Sequence, residues 1–387
     1  MQFISPQYME QLQSLTTPFK GLEARLKTFF DSRFWQFKVL FLSLAISVST
    51  LLVFNFIFVD RGFRDLYQEM RHPGSIGGFF WDDIVKQGAD PFTPKDYEAG
   101  SHEANQTFRL TVPLIAYALH LNVAGLYLLH VIVGLGFLWL VIQITYQILQ
   151  NRLLVFYFLT GFTAIYAGAN FYINYLGHAD VFPFCFLALA FYLRNPLWVL
   201  LFTQLAFWCD ERAIINSSYL GLWFVLPMLK EVIETKQFRL KQIPLEAVAL
   251  VVSAGLYLIV RQWLSSTYGL KVGHDNALSH RTTWWSLSIL GDKFTRGFEG
   301  FWLIIFAGMA VLVMLKDWLT FGLLLGCFMA TAAISIMVAD GTRSLSFGYM
   351  IFFFMLSTLR KHIPVSQLAY LLIVSSLISL MLPISFP

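Results

Sequence analysis

Of the 387 residues in this chain, 57% are hydrophobic and only 13% charged, and the mean hydropathy is +0.63. An ordinary soluble domain carries about 25% charged residues, so the composition excludes that class and describes an all-α polytopic membrane protein. The formal net charge of +4 comes without a basic block, which argues against a nucleic-acid partner.

Residues 1–36 read as a cytoplasmic amphipathic lead-in rather than a removable signal peptide. Phe19, Leu22, Leu26, Phe29 and Phe30 are set against Lys20, Glu23, Arg25 and Lys27, a pattern suited to the membrane interface. Residues 37–387 then read as a single transmembrane domain. Its apolar runs are Phe37 to Val59, Val123 to Leu149, Leu153 to Tyr175, Val181 to Leu193, Leu197 to Cys209, Ala213 to Leu229, Ile243 to Leu264, Phe301 to Leu315, Trp318 to Val338, Leu345 to Leu359 and Val365 to Leu382. About 20 apolar residues cross a bilayer, so these runs predict about 11 transmembrane helices, two of them short. Leu110 to Leu121 is only about a dozen residues and suits an interfacial or re-entrant helix.

Charge sets the orientation, because cytoplasmic loops collect Lys and Arg. With the N-terminus inside, Arg152, Arg194, Lys230, Lys236, Arg239, Lys241, Lys316, Arg360 and Lys361 all fall inside. The outer side receives the loop 60–109, His178 with Asp180, Asp210-Glu211-Arg212, the loop 265–300, and Asp340 to Arg343. Acids and their companion bases thus gather on one face, and ionisable groups at a bilayer boundary point to a shared polar site. The expected location is a bacterial inner membrane with the N-terminus cytoplasmic and the active face periplasmic.

The first outer loop, about fifty residues, is too long for a mere connection. It holds Asp60, Asp65, the run Gly77-Gly78-Phe79-Phe80-Trp81-Asp82-Asp83, the turn Gly88-Ala89-Asp90-Pro91-Phe92, then Glu103, Arg109 and Pro113. Pro and Gly breakers between short amphipathic pieces predict one or two interfacial helices. An acid after the first span, a Gly-Xaa-Asp-Pro-aromatic turn, and an Arg shortly before Pro113-Leu114 resemble the first outer loop of GT-C fold glycosyltransferases. Gly177-His178-Ala179-Asp180 likewise resembles the Gly-His-Xaa-Asp turn of polyprenol-phosphate-dependent mannosyl- and arabinosyltransferases.

That resemblance implies a polyprenyl-phosphate-linked sugar donor and a lipid-linked or polymer glycan acceptor, with membrane lipids around them. Such transfer needs a carboxylate to deprotonate the acceptor and cations to receive the departing phosphate. Asp60 or Asp65 is the expected base, with Asp82 and Asp83 not excluded. His178 and Asp180, two apart in a turn, can face one pocket and position substrate. They can also hold a divalent metal with Asp60, Asp65 or Asp340, though hydrogen bonding is the favoured reading. Arg109, Arg212 and Arg343 are expected at the phosphate, for which guanidinium geometry suits bidentate contact. Glu103, Asp210, Glu211, His274 and Asp340 complete the expected substrate-binding set.

Cys185, Cys209 and Cys327 lie in or beside apolar runs with no Cys-Xaa-Xaa-Cys spacing, so they read as free, packed thiols. Two other readings accompany the enzyme. A transporter or flippase for a lipid-linked or anionic solute would line a conduit with the same charges. A non-catalytic assembly subunit would keep the fold without the chemistry.

Overall fold

A computed structural model describes residues 21–77, 79–94, 106–270, 290–337 and 340–382. Every regular element among them is a helix. After helical residues 21–30, the chain forms α1 (Trp35–Arg71), α2 (Trp81–Ala89), α3 (Thr111–Ala118), α4 (Val123–Leu149), α5 (Arg152–Phe162), α6 (Tyr166–Ile173), α7 (Val181–Leu193) and α8 (Pro196–Phe207). It continues with α9 (Arg212–Thr235), α10 (Leu245–Tyr268), α11 (Leu290–Phe298), α12 (Trp302–Met314), α13 (Trp318–Met337), α14 (Gly341–Ser346), α15 (Ile351–His362) and α16 (Val365–Met381).

Each of the eleven expected apolar runs falls mainly on helix, yet among the described residues six helices are long and apolar enough to cross a membrane, or seven if one bent pair counts as a span. The remainder are shortened for visible reasons. In α7 and α8, Arg194 adopts a left-handed conformation, and Asn195 then caps the next helix with Pro196 at its first position. The two form a tight antiparallel hairpin whose first helix is buried against α4.

Two expectations about boundaries are corrected. The run Leu153 to Tyr175 is not one helix: α5 and α6 meet at a 61° bend at Thr163–Ile165. The Ser47 hydroxyl donates to the Thr160 carbonyl and meets the Thr163 hydroxyl, and the Tyr172 hydroxyl donates to the Thr163 carbonyl, which satisfies polar groups that the ladder releases at the break. The first helix does not stop at Val59 either. It kinks at Asn55 and runs on to Arg71, so Asp60 and Asp65 lie on a helix rather than in a loop. Leu66 is buried, and Phe63 packs edge-on against Tyr175 at 4.9 Å, which docks the extension on the body.

The core is aromatic. Phe137 meets Tyr349 edge-on at 5.4 Å, and Phe158 stacks on Phe162 at 5.6 Å. One end of the bundle collects basic contacts: Arg152 bonds Asp31 at 2.8 Å, Arg360 bonds the Leu149 carbonyl at 3.0 Å, and Lys230 pairs with Asp317 at 2.6 Å. The acid-rich turns gather elsewhere, in the network described next.

Candidate functional site

The turn after α6 is built before any charge enters it. Asn174 Oδ1 accepts from the backbone N–H of Gly177 at 3.2 Å and of His178 at 3.4 Å. Gly177 has φ +92°, and a Cβ there would stand 2.9 Å from the Trp81 backbone nitrogen. Glycine is required at that point on both counts. Trp81 Nε1 donates to the Tyr175 carbonyl at 2.6 Å and Phe80 N–H to the Leu176 carbonyl at 2.7 Å, so the start of α2 is laid directly on this turn.

Beneath the turn, Asp180 is 1% exposed and its carboxylate is fully engaged. Arg343 donates from Nη2 to Oδ1 at 2.8 Å and from Nε to Oδ2 at 2.6 Å, and Tyr166 O–H donates to Oδ2 at 2.8 Å. Arg343 also donates to Asp340 through Nη1. Arg212 makes a second fork, to Asp210 at 2.8 and 2.7 Å, with Nη1 on Ser344 at 3.0 Å and Nη2 3.5 Å from Asp180. Arg109 closes the chain, 3.2 Å from Asp210 and 3.3 Å from Glu211. The Phe347 ring lies 4.8 Å from the Arg212 guanidinium carbon.

Four turns of the sequence thus bring four carboxylates and three guanidiniums into one buried network. Lys293, 4% exposed, adds a further cation: its Cδ lies 2.5 Å from the point where a Cβ on Gly341 would stand, within electrostatic reach of Asp340. Burial works to raise the Asp180 carboxyl, but Arg343 and then Arg212 outweigh it and hold it at about 2. Burial likewise opposes ionisation of Asp210, yet Arg109 and Arg212 keep it well below the usual carboxylate range. Burial works against the Arg109 charge, and Asp210 and Glu211 more than offset it. Asp180, Asp210 and Arg109 are therefore ionised throughout the physiological range.

Beside it lies a cavity of about 50 Å³. His178, Arg109 and Asp83 line it, with Gln87, Gln106 and Cys209 among the other walls. Gln87 donates to the carbonyls of Gln106 and Thr107 at 3.2 and 3.1 Å, and Thr111 bonds the Leu205 and Trp208 carbonyls. Those bonds fix the strand of chain that presents Arg109. Burial, reinforced by Arg343, pushes the His178 imidazole down to about 3 against the pull of Asp180 and Asp340. His178 is thus a neutral ring at the cavity wall, 5.1 Å from the Phe80 ring, able to donate from one nitrogen and accept at the other.

The expected site residues divide accordingly. Arg109, Asp180, Asp210, Glu211, Arg212, Asp340 and Arg343 come together, and His178 borders them. Asp180 is held by Arg343 and Tyr166, does not line the cavity and has a low pKa, which suits a structural anchor rather than a base. All three guanidiniums hold carboxylates, Arg109 donating from Nε and Nη2 to Glu211, and of the three Arg109 is the one that also lines the cavity. Asp60 is exposed and pairs with Arg64 one turn along α1. Asp65 is half-buried on the same helix. Asp82 is buried and pairs with Lys86, whereas Asp83, its neighbour, is exposed and lines the cavity. Glu103 and His274 lie outside the described residues.

One participant escaped the sequence reading, and another was only left open by it. Asp83 was kept beside Asp60, Asp65 and Asp82 with no feature to single it out until α2 set its face. Lys293 sits on an amphipathic piece of the second long loop, where nothing in the sequence links it to Asp340.

Among the described residues no group of three or more His, Cys, Asp or Glu is arranged to hold a metal ion. No family model matches the chain, and neither a curated protein nor a solved structure is significantly similar to it.

Proposed function

We propose that this protein is a membrane glycosyltransferase of the GT-C type that transfers a sugar from a polyprenyl-phosphate carrier to an acceptor at the outer face. One observation carries the reading: a carboxylate (Asp83), a guanidinium held by Glu211 and Asp210 (Arg109) and a neutral imidazole (His178) line one cavity. Beside it the buried network fixes the position of Arg109.

In this reading Arg109 takes the carrier phosphate through charge-assisted hydrogen bonds. Asp83 accepts the proton of the acceptor hydroxyl as the new C–O bond forms at the anomeric carbon and the bond to phosphate breaks. His178 orients the sugar through its ring N–H or ring nitrogen. Positioned acid–base groups contribute about 10²- to 10⁴-fold. The test is transfer from a panel of labelled polyprenyl-phosphate sugars by the purified protein in lipid nanodiscs. Loss of product in Asp83→Asn and Arg109→Ala supports the reading, and unchanged transfer in both refutes it.

The break between α5 and α6 favours a second reading, a transporter or flippase of a lipid-linked or anionic solute, since interrupted spans recur where transporters bind solute. Movement of a polyprenyl-phosphate sugar across sealed proteoliposomes without covalent product would select it.

A further inference from the structure

Glu299 stands where a membrane helix has little reason to keep an acid. It joins α11 to α12 within the apolar stretch Gly291–Met314, and it is 6% exposed. Neither carboxylate oxygen has a hydrogen-bond partner among the described residues. Its backbone lies in the left-handed region at φ +46°, unfavourable for a residue with a Cβ. A buried unpaired carboxylate and a strained backbone at one position persist only where something compensates them.

Oxygen-bearing groups of α16 lie against the residue that follows it. α16 crosses in contact: Gly300 N–H donates to Ser379 Oγ at 3.1 Å, and a Cβ on Gly300 would stand 2.0 Å from the Ser375 carbonyl oxygen. Ser375 Oγ is itself buried without a partner. Ser379 also borders a cavity of about 10 Å³, room for one water-sized occupant, whose polar walls are Ser47, Thr50 and Tyr172. Ala164, at the break between α5 and α6, closes that cavity, and Ser47 Oγ is 2.7 Å from Thr163 Oγ1.

Among the described residues no cation forms an ion pair with the acid. Arg296 on α11 lies within electrostatic reach of Glu299, but it is bound to Asp292 at 2.7 Å and faces out. Tyr172 on α6 is within reach as well. From α16 the groups against Gly300 are Ser375 and Ser379, and α5 contributes the Tyr157 carbonyl, which takes the Ser376 hydroxyl at 2.6 Å.

We propose that Glu299, with the Ser375 and Ser379 hydroxyls and the Ser375 carbonyl, forms a site for a small monovalent cation, with sodium as the fitting ion. One carboxylate among neutral oxygens balances a single charge, and carboxylate, hydroxyl and carbonyl oxygens are hard donors suited to a hard ion. Bound there, the ion ties the α11–α12 junction to α16 and steadies α11, the helix that carries Lys293 to the ion network. The site does not depend on the glycosyltransferase reading.

The experiment uses the full chain purified in detergent. Thermal unfolding is followed in sodium chloride and in choline chloride of equal ionic strength, for wild type, Glu299→Gln and Ser379→Ala. Sodium should raise the wild-type midpoint by roughly 2 °C or more with saturation. It should leave Glu299→Gln unmoved and act on Ser379→Ala only at higher concentration. Equal midpoints in the two salts for wild type, or the same sodium rise in Glu299→Gln, overturn the proposal. So does a stabilisation that follows pH alone, which would make the occupant a proton. If Glu299→Gln does not fold, saturable binding of radioactive sodium to wild type, weakened in Ser379→Ala, supports the site, and no saturable binding overturns it.

Discussion

Arg343 grips both oxygens of Asp180 in a fork, 2.6 Å from Nε and 2.8 Å from Nη2, although the two residues are 163 positions apart in the chain. With Asp180 1% exposed, the pair is sealed from water and joins the turn after α6 to the start of α14. Buried pairs of this kind need not add net stability over an apolar substitute, but removing one partner strands the other. Asp180→Ala should therefore cost about 3–5 kcal/mol. Asp180→Asn combined with Arg343→Met should recover a good part of that loss. Thermal unfolding of the purified proteins in detergent reads both, and equal destabilisation by the single and double variants would remove the pair from this role.

The pH dependence of stability follows from His178. Its folded pKa lies near 3, well under the ordinary value of 6.5, so below 6.5 the unfolded chain binds the proton and the folded chain does not. The stabilisation is complete above pH 6.5 and is lost as pH falls through the window from 6.5 toward 3, with a slope of at most about 1.4 kcal/mol per pH unit from this one group. Asp180 adds loss only below the ordinary carboxylate range, toward its folded value near 2. His178→Gln should flatten the decline in unfolding midpoint between pH 7 and pH 5. A decline of the same steepness in the variant would assign it to another group.

The turn that carries these residues makes a backbone prediction. Gly177→Ala has to hold a Cβ at φ +92° against the Trp81 backbone, so it should destabilise by about 1–3 kcal/mol and loosen α2 from the turn. Ala179 sits at φ +57°, a region that glycine enters without a steric cost, and Ala179→Gly should be neutral or stabilising by up to about 1 kcal/mol. Hydrogen exchange across Trp81–Ala89 measures the first effect, and faster exchange is the expected outcome.

How far the sequence reveals this site depends on what a pattern can encode. Hydropathy marks the apolar runs, and the division of bases from acids marks the two ends, because both are local properties of the chain. Partner choice is not local: nothing near Asp180 names Arg343 rather than Arg212 or Arg109 as its fork. Helix ends were equally hidden. Asp60 looks like the first residue of a loop, yet the amphipathic residues after it, with Leu66 turned inward, carry α1 on to Arg71. The break at Thr163–Ile165 contains no proline and arises from tertiary hydrogen bonds to Ser47 and Tyr172.

The first-loop acids can be separated by activity. Asp60 is exposed and joined to Arg64 by a surface pair of a type worth about 0–1 kcal/mol, so Asp60→Asn should retain both fold and transfer. Asp83→Asn should lose at least about 100-fold in kcat while the unfolding midpoint stays near wild type, since its side chain is exposed. Transfer that fails in Asp60→Asn and survives in Asp83→Asn would move the base to α1 and require a different approach of the acceptor.

The three arginines should part in the same way. Arg212 and Arg343 each hold a buried carboxylate fork, so Arg212→Ala and Arg343→Ala should lower the unfolding midpoint by many degrees and lose activity with the fold. Arg109, at the edge of the network and the wall of the cavity, has its carboxylates partly exposed on the Glu211 side. Arg109→Lys keeps the charge but not the planar fork, so it should fold and still bind carrier phosphate, with a KM raised about tenfold or more and a smaller change in kcat. Titration with a polyprenyl phosphate lacking sugar provides the direct check: affinity should fall in Arg109→Lys and further in Arg109→Ala. Equal affinity in wild type and Arg109→Ala would place the phosphate elsewhere.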